Sequence, residues 1–247
     1  MKRKLLLGSG VAGVSLLLAA SPALAQDADD PSVYLQAVMD NLWVFIAGIL
    51  VFFMQAGFAL VEAGLTRSKN VANIMAKNIA DMCIGVLAFY AVGYAFAYGG
   101  GGGWFIGGGS WFLSGTSLFE IPEPILNDEG LWVPDNLSGA TDFFFQVVFA
   151  ATAVTIASGA MAGRTKFSAY LMFAGLMTAF IYPVVVHWTW GGGLIAEYIN
   201  WGDAGSYSDF AGSGIVHLTG GVAAFMGAKA LGPRIGKYDD EGKPRAI

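Results

Sequence analysis

Near the C-terminal end of the chain, Asp209, Ser213, His217, Gly220, Gly221 and Ala224 recur at helical spacings of three and four. A helix gathers such residues on one small and polar face, and places Ile215, Leu218, Val222 and Phe225 on the opposite, bulky one. That arrangement turns His217 toward the protein interior, about two turns into the apolar segment. A neutral imidazole donates through one nitrogen and accepts through the other. It can order a line of small polar solutes or relay a proton. It can equally tie two helices together, and position alone leaves both roles open. A metal role is disfavoured because no second ligand stands at i+3 or i+4. Asp209 opens the same segment. As an N-cap it satisfies orphan amides, and its charge also favours a cation arriving at that end.

A second group is aromatic. Phe145 and Phe149 flank Gln146, are four residues apart and so share a helix face. Stacked rings bind a cation or close a pore, although packing against lipid or core is the commoner use of such a pair. Trp190 precedes Gly191, Gly192 and Gly193 and is either one wall of a cation cage or an interface anchor. His187, beside Trp188, reads as an interfacial residue. Lys77 and Asp81 are one helical turn apart and can pair, while Glu62 can reach Arg67 or Lys69; these charges read as structural.

The elements that hold these residues are membrane helices. Of 247 residues 55% are hydrophobic and 13% charged, with a net charge of −5. So apolar a chain is neither disordered nor a soluble globule, and it lacks the basic stripe of a nucleic-acid binder. One cysteine, Cys83, excludes a disulfide framework within the chain. Lys2, Arg3 and Lys4, the apolar run 5–20 and Ala23-Leu24-Ala25 form a signal-peptide pattern over residues 1–25. Residues 26–247 then carry five spans, at about 33–63, 73–98, 143–163, 167–190 and 209–229. This predicts an all-α polytopic transmembrane bundle. With the N-terminus outside, every Lys and Arg of the mature chain falls on the inner side. The Gly-rich segment 99–140 becomes a flexible outer cap carrying Trp104, Trp111 and Trp132, with no phosphate-binding loop in it.

Asp209-Phe-Ala-Gly-Ser-Gly-Ile-Val-His217-Leu-Thr-Gly-Gly221, running on to Gly232-Pro-Arg234, closely resembles the signature of the ammonium transporter (Amt/Rh) family, in its Amt branch. Arg67-Ser-Lys-Asn70, Gly93-Tyr-Ala-Phe96, Phe145-Gln146, Gly163-Arg164 with Phe167-Ser168, and Trp190-Gly-Gly-Gly193 agree in order. Lys229 departs from the resemblance, since the family usually keeps an apolar residue there.

The resemblance implies transport of ammonium or ammonia across a lipid bilayer, without cofactor, metal, enzymatic chemistry or nucleic acid. Trp190, Phe145 and Asp209 would recruit the cation at an outer mouth. Phe149 would supply one ring of a phenylalanine gate, and His217 would be the first of two pore histidines. The family fold has eleven spans, built from two inverted five-span repeats and a final helix, and assembles as a homotrimer in the inner (plasma) membrane. This chain matches the first repeat and reads as a truncated, N-terminal half. A cytoplasmic regulatory protein is a further implied partner. The alternative implied function is an ammonium sensor whose membrane domain drives a signalling module.

Overall fold

Long uncharged runs have one economical form in hydrocarbon: a helix, whose backbone hydrogen bonds are all satisfied within the segment. A computed structural model describes residues 31–123, 125–127, 132–133, 137–199 and 207–246. The expected signal peptide, 1–25, lies outside the described residues. Five helices long and apolar enough to cross a membrane follow in order: Pro31–Gly64, Ser68–Tyr98, Gly139–Met161, Phe167–Ala196 and Ser213–Leu231. The protein is therefore an all-α polytopic bundle, apart from a two-residue antiparallel pairing of Ile125–Leu126 with Trp132–Val133 in the loop after the second span.

Local chemistry decides where the spans start. Ser138 caps the third, its Oγ accepting the Thr141 amide at 3.4 Å while its own amide donates to Asn41 Oδ1 at 2.9 Å. The helix thus begins at Gly139, inside the stretch that composition assigns to the loop. The glycine-rich start of the loop is tied down by backbone hydrogen bonds. The Gly107 amide donates to Phe96 O at 2.9 Å, Gly101 to Gly108 O at 2.8 Å, and Leu194 to Trp104 O at 2.8 Å. His187 is buried rather than interfacial. Its Nδ1 lies 2.9 Å from Ala97 O and its Nε2 2.8 Å from Gly103 O, bridging the second span, the glycine loop and the fourth span.

The third span is the hub. Ala150, Ala151, Ala153, Val154, Ala157 and Ser158 are all buried, and small side chains let neighbouring backbones come close. The fifth span crosses it at Gly220, where a Cβ would stand 2.8 Å from Ala153 O and 2.8 Å from Ile156 Cβ. Only glycine fits that crossing without displacing one of the helices.

Toward the basic end of the bundle the hub meets a buried polar network. Glu62 Oε2 is 3.3 Å from Lys77 Nζ and accepts from Ser158 Oγ at 2.7 Å. Lys77 also donates to Ser158 O at 2.9 Å and lies 4.8 Å over the Tyr170 ring. Asp81 accepts from Tyr170 Oη and, at 3.2 Å, from Gln55 Nε2. Two expected pairings are thereby corrected. Lys77 pairs with Glu62 of the first span instead of Asp81, and Glu62 does not reach Arg67 or Lys69. Packing of the first three spans brings Glu62 to Lys77, whereas Arg67 and Lys69 lie beyond the helix end, where Arg67 donates to Ile235 O at 2.9 Å. Removing one member of a buried ion pair strands the other, so Lys77→Met is expected to cost the full-length protein about 3–5 kcal/mol, with partial recovery in Glu62→Gln/Lys77→Met. Thermal unfolding in detergent measures both; equal stability of Lys77→Met and the native protein would show that the pair contributes nothing.

Candidate functional site

A peptide chain that enters a bilayer leaves the first amides of its helix without partners. The fifth span meets this with one side chain. Asp209 Oδ1 accepts the amides of Gly212 at 2.8 Å and Ser213 at 2.9 Å, and Oδ2 accepts those of Gly214 at 2.8 Å and Ile215 at 2.7 Å. Four charge-assisted hydrogen bonds converge on one buried carboxylate at the positive end of a helix. The turn needs Gly212, whose φ of 86° is left-handed and whose Cβ would fall 2.7 Å from Val216 Cγ2. Tyr207 was not singled out by spacing. Its hydroxyl lies where a Cβ on Gly214 would be, 2.2 Å away, and burial together with the Asp209 charge holds its phenol above the usual range.

The cap leads into a π-helical turn, Ser213–Leu218. The His217 amide reaches back five residues, to Gly212 O at 3.0 Å. Such wide turns inside membrane helices commonly occur at functional positions. Here the turn changes the helical phase on which the expected face was built. Ile215, Val216 and Gly220 are buried, whereas Ser213 and His217 are exposed on the side that also shows Leu218, Val222 and Phe225. Within this chain the histidine therefore points away from the core, contrary to the orientation expected from regular α-spacing.

The aromatic residues join this element into one assembly. Phe145 and Phe149 meet edge to face with centroids 5.0 Å apart. Phe149 meets Trp190 in the same manner at 6.2 Å. The Trp190 indole then donates from Nε1 to Asp209 O at 2.6 Å. Trp190 ends the regular part of the fourth span, before its three glycines. Four of the five sequence-predicted site residues thus form a continuous chain, Phe145–Phe149–Trp190–Asp209, and His217 lies on the π turn capped by its last member. Asp142 accepts from Tyr94 Oη and, at 3.5 Å, from Gln146 Nε2, a half-buried support that helical spacing did not reveal.

The arrangement offers ring faces and edges, one carboxylate already saturated by amides, and an exposed imidazole. It has no nucleophile–base pair, and no cluster of three metal-ligating side chains occurs among the described residues. Because the carboxylate serves four amides at once, Asp209→Asn, which keeps one acceptor oxygen and turns an NH2 toward the others, is expected to destabilise the full-length protein by about 3 kcal/mol or more. Asp209→Glu is expected to recover little, because the longer arm cannot keep all four distances. Thermal unfolding in detergent tests this, and a native melting temperature for Asp209→Asn would remove the capping role.

The Ammonium Transporter Family profile matches residues 42–247. The ammonium transporter Amt2 of Archaeoglobus fulgidus is 43% identical over 244 residues, covering 95% of this chain and 47% of its own length. A solved structure described as a sensor Amt protein superposes with a TM-score of 0.75 at 35% identity, covering 87% of this chain and 49% of that one. The structure of Mep2 from Candida albicans superposes at 0.62 with 25% identity, covering 79% and 39%. The chain thus spans about half the length of the relatives it matches. With this coverage and five apolar spans, it belongs to the ammonium transporter family of multi-pass membrane proteins.

Proposed function

We propose that this chain forms one half of a pore for ammonium or ammonia. The observation that carries the reading is the continuous chain from Phe145 through Phe149 and Trp190 to the Asp209 cap, with His217 on the capped π turn. Trp190 and Phe145 recruit the cation at the mouth through their ring faces. Asp209 adds negative potential there and holds the turn in shape. Phe149 is one ring of a gate that admits the substrate after it sheds water. His217 then lines an otherwise apolar lane, where it orders the deprotonated substrate and exchanges its proton. Its exposure in this half supports a facing second repeat that completes the lane. Selectivity arises because a neutral, small, hydrogen-bonding molecule crosses such a lane more cheaply than an ion.

The basic residues at one end of the bundle support a cytoplasmic position for that end, with the N-terminus outside and residues 1–25 removed as a signal peptide. The intact protein is then a homotrimer of the plasma membrane, open to a cytoplasmic regulatory partner. A sensing role is the second reading, favoured by the likeness to the sensor Amt structure.

Uptake of labelled methylammonium by cells making the full-length protein tests transport. Uptake is expected, and His217→Ala is expected to change its rate or its discrimination against K+. Unchanged rate and selectivity in that variant would overturn the histidine's role. Absence of uptake together with an ammonium-dependent downstream signal would favour the sensor. Trp190→Leu is expected to raise the apparent KM about three- to tenfold through loss of a cation–π contact, with a smaller effect on the maximal rate.

A further inference from the structure

Two carboxylates lie beside the aromatic chain, and they differ in what they can still accept. An ionised carboxylate offers about four lone-pair sites. On Asp209 these are filled, two backbone amides to each oxygen. Among the described residues Asp142 has two donors: the Tyr94 hydroxyl on Oδ2 and, at a long 3.5 Å, Gln146 Nε2 on Oδ1. Asp142 also stands close to where a cation at the mouth would rest. It precedes Phe145 by three residues and Phe149 by seven on one regular helix, Gly139–Met161, so the acid and the two rings share a face. It is half-buried, which leaves it open to a small solute. Beside an aromatic wall two ions are poorly solvated. Moving one proton from ammonium to the carboxylate replaces them with ammonia and a carboxylic acid, both neutral. One N–H bond breaks, one O–H bond forms and no charge is left over.

A proton taken up there needs an exit. Tyr94 follows directly on a π turn of the second span, Phe89–Gly93, and Tyr182 on a π turn of the fourth, Met177–Ile181. The two turns interlock: a Cβ on Gly93 would stand 2.4 Å from Thr178 O. Such turns are frequent at functional positions. Tyr98, one turn beyond Tyr94, packs against it with ring centroids 5.2 Å apart. It lies within electrostatic reach of Asp142 and of Tyr182, and Tyr182 within reach of Asp209. The hydroxyls of Tyr98 and Tyr182 are buried and have no hydrogen-bond partner among the described residues. Each hydroxyl can accept one proton while donating another, so the pair can hand a proton on without holding a charge.

We propose that Asp142 is the base that takes the proton from ammonium at the mouth and passes it to the hydroxyls of Tyr98 and Tyr182, leaving ammonia to enter the lane. This inference rests on the pore proposed above. Asp209, with its acceptor sites filled by amides, serves the turn.

The test is the current evoked by ammonium pulses on proteoliposomes holding the full-length protein, read beside uptake of labelled methylammonium. Asp142→Asn keeps an acceptor for Tyr94 but takes no proton. It is expected to lower the current at least about tenfold while the apparent KM for methylammonium stays unchanged. Asp142→Glu is expected to restore part of the current. Tyr98→Phe/Tyr182→Phe keeps both rings and removes two hydroxyls that have no partner among the described residues. It is expected to lower the current about three- to tenfold. A native current in Asp142→Asn would overturn the proposal. So would an equal loss in Asp142→Asn and Asp142→Glu with KM raised in both, which marks a recruiting charge and not a base. If Asp142→Asn does not fold, the tyrosine variant decides alone: a lowered current supports the relay and a native current overturns it. Neither current nor uptake by the native protein would overturn the pore itself, and this inference with it.

Discussion

The interior of a bilayer offers no hydrogen bond, so a polar group carried into it must find a partner within the protein. Several features of this chain answer that demand. Asp209 is the clearest case. One carboxylate takes up the four amides that a helix start leaves open, and so allows the fifth span to begin as a π turn next to an aromatic wall. Without that capping the glycine-rich run Gly212–Gly214 would have neither a fixed direction nor a fixed phase. His217, five residues beyond Gly212, inherits its orientation from it.

The same demand shapes the basic end differently. There the charges lie in two layers. Glu62 and Lys77 neutralise each other in the core, and Asp81 is held by a tyrosine and a glutamine. Outside them Arg164 and Arg234 satisfy the terminal carbonyls of the third span, since a guanidinium has donors enough for several carbonyls and keeps some in reserve. The inner layer closes on itself, whereas the outer layer retains positive potential. A single physical rule thus yields mutually paired charges in one place and spare cationic donors in another.

Much of this was legible in the residues. Apolar run length predicts five spans, and the asymmetry of Lys and Arg separates the two ends. Phe145 and Phe149 share a face by arithmetic, and an acid before a small-residue helix reads as a cap. The Amt signature from Asp209 to Arg234 gave the family. Other features were not legible. His187 looks interfacial beside two tryptophans, yet it is buried because the glycine loop folds back over it. Asp142 carries no motif, and its bonds to Tyr94 and Gln146 emerge only when the second and third spans meet.

By itself the sequence determined which segments are helices, which end is basic and which residue types could meet a cation, because these follow from local composition and regular period. Tertiary structure alone decided which partner each buried charge takes and which way His217 faces. Lys77 has an acid one turn away on its own helix but pairs across to Glu62, since packing of the first three spans, not spacing along one, sets the shorter distance. His217 leaves the small-residue face because a π turn adds a residue to the helical period, and the first amides of that turn are the ones folded onto Asp209.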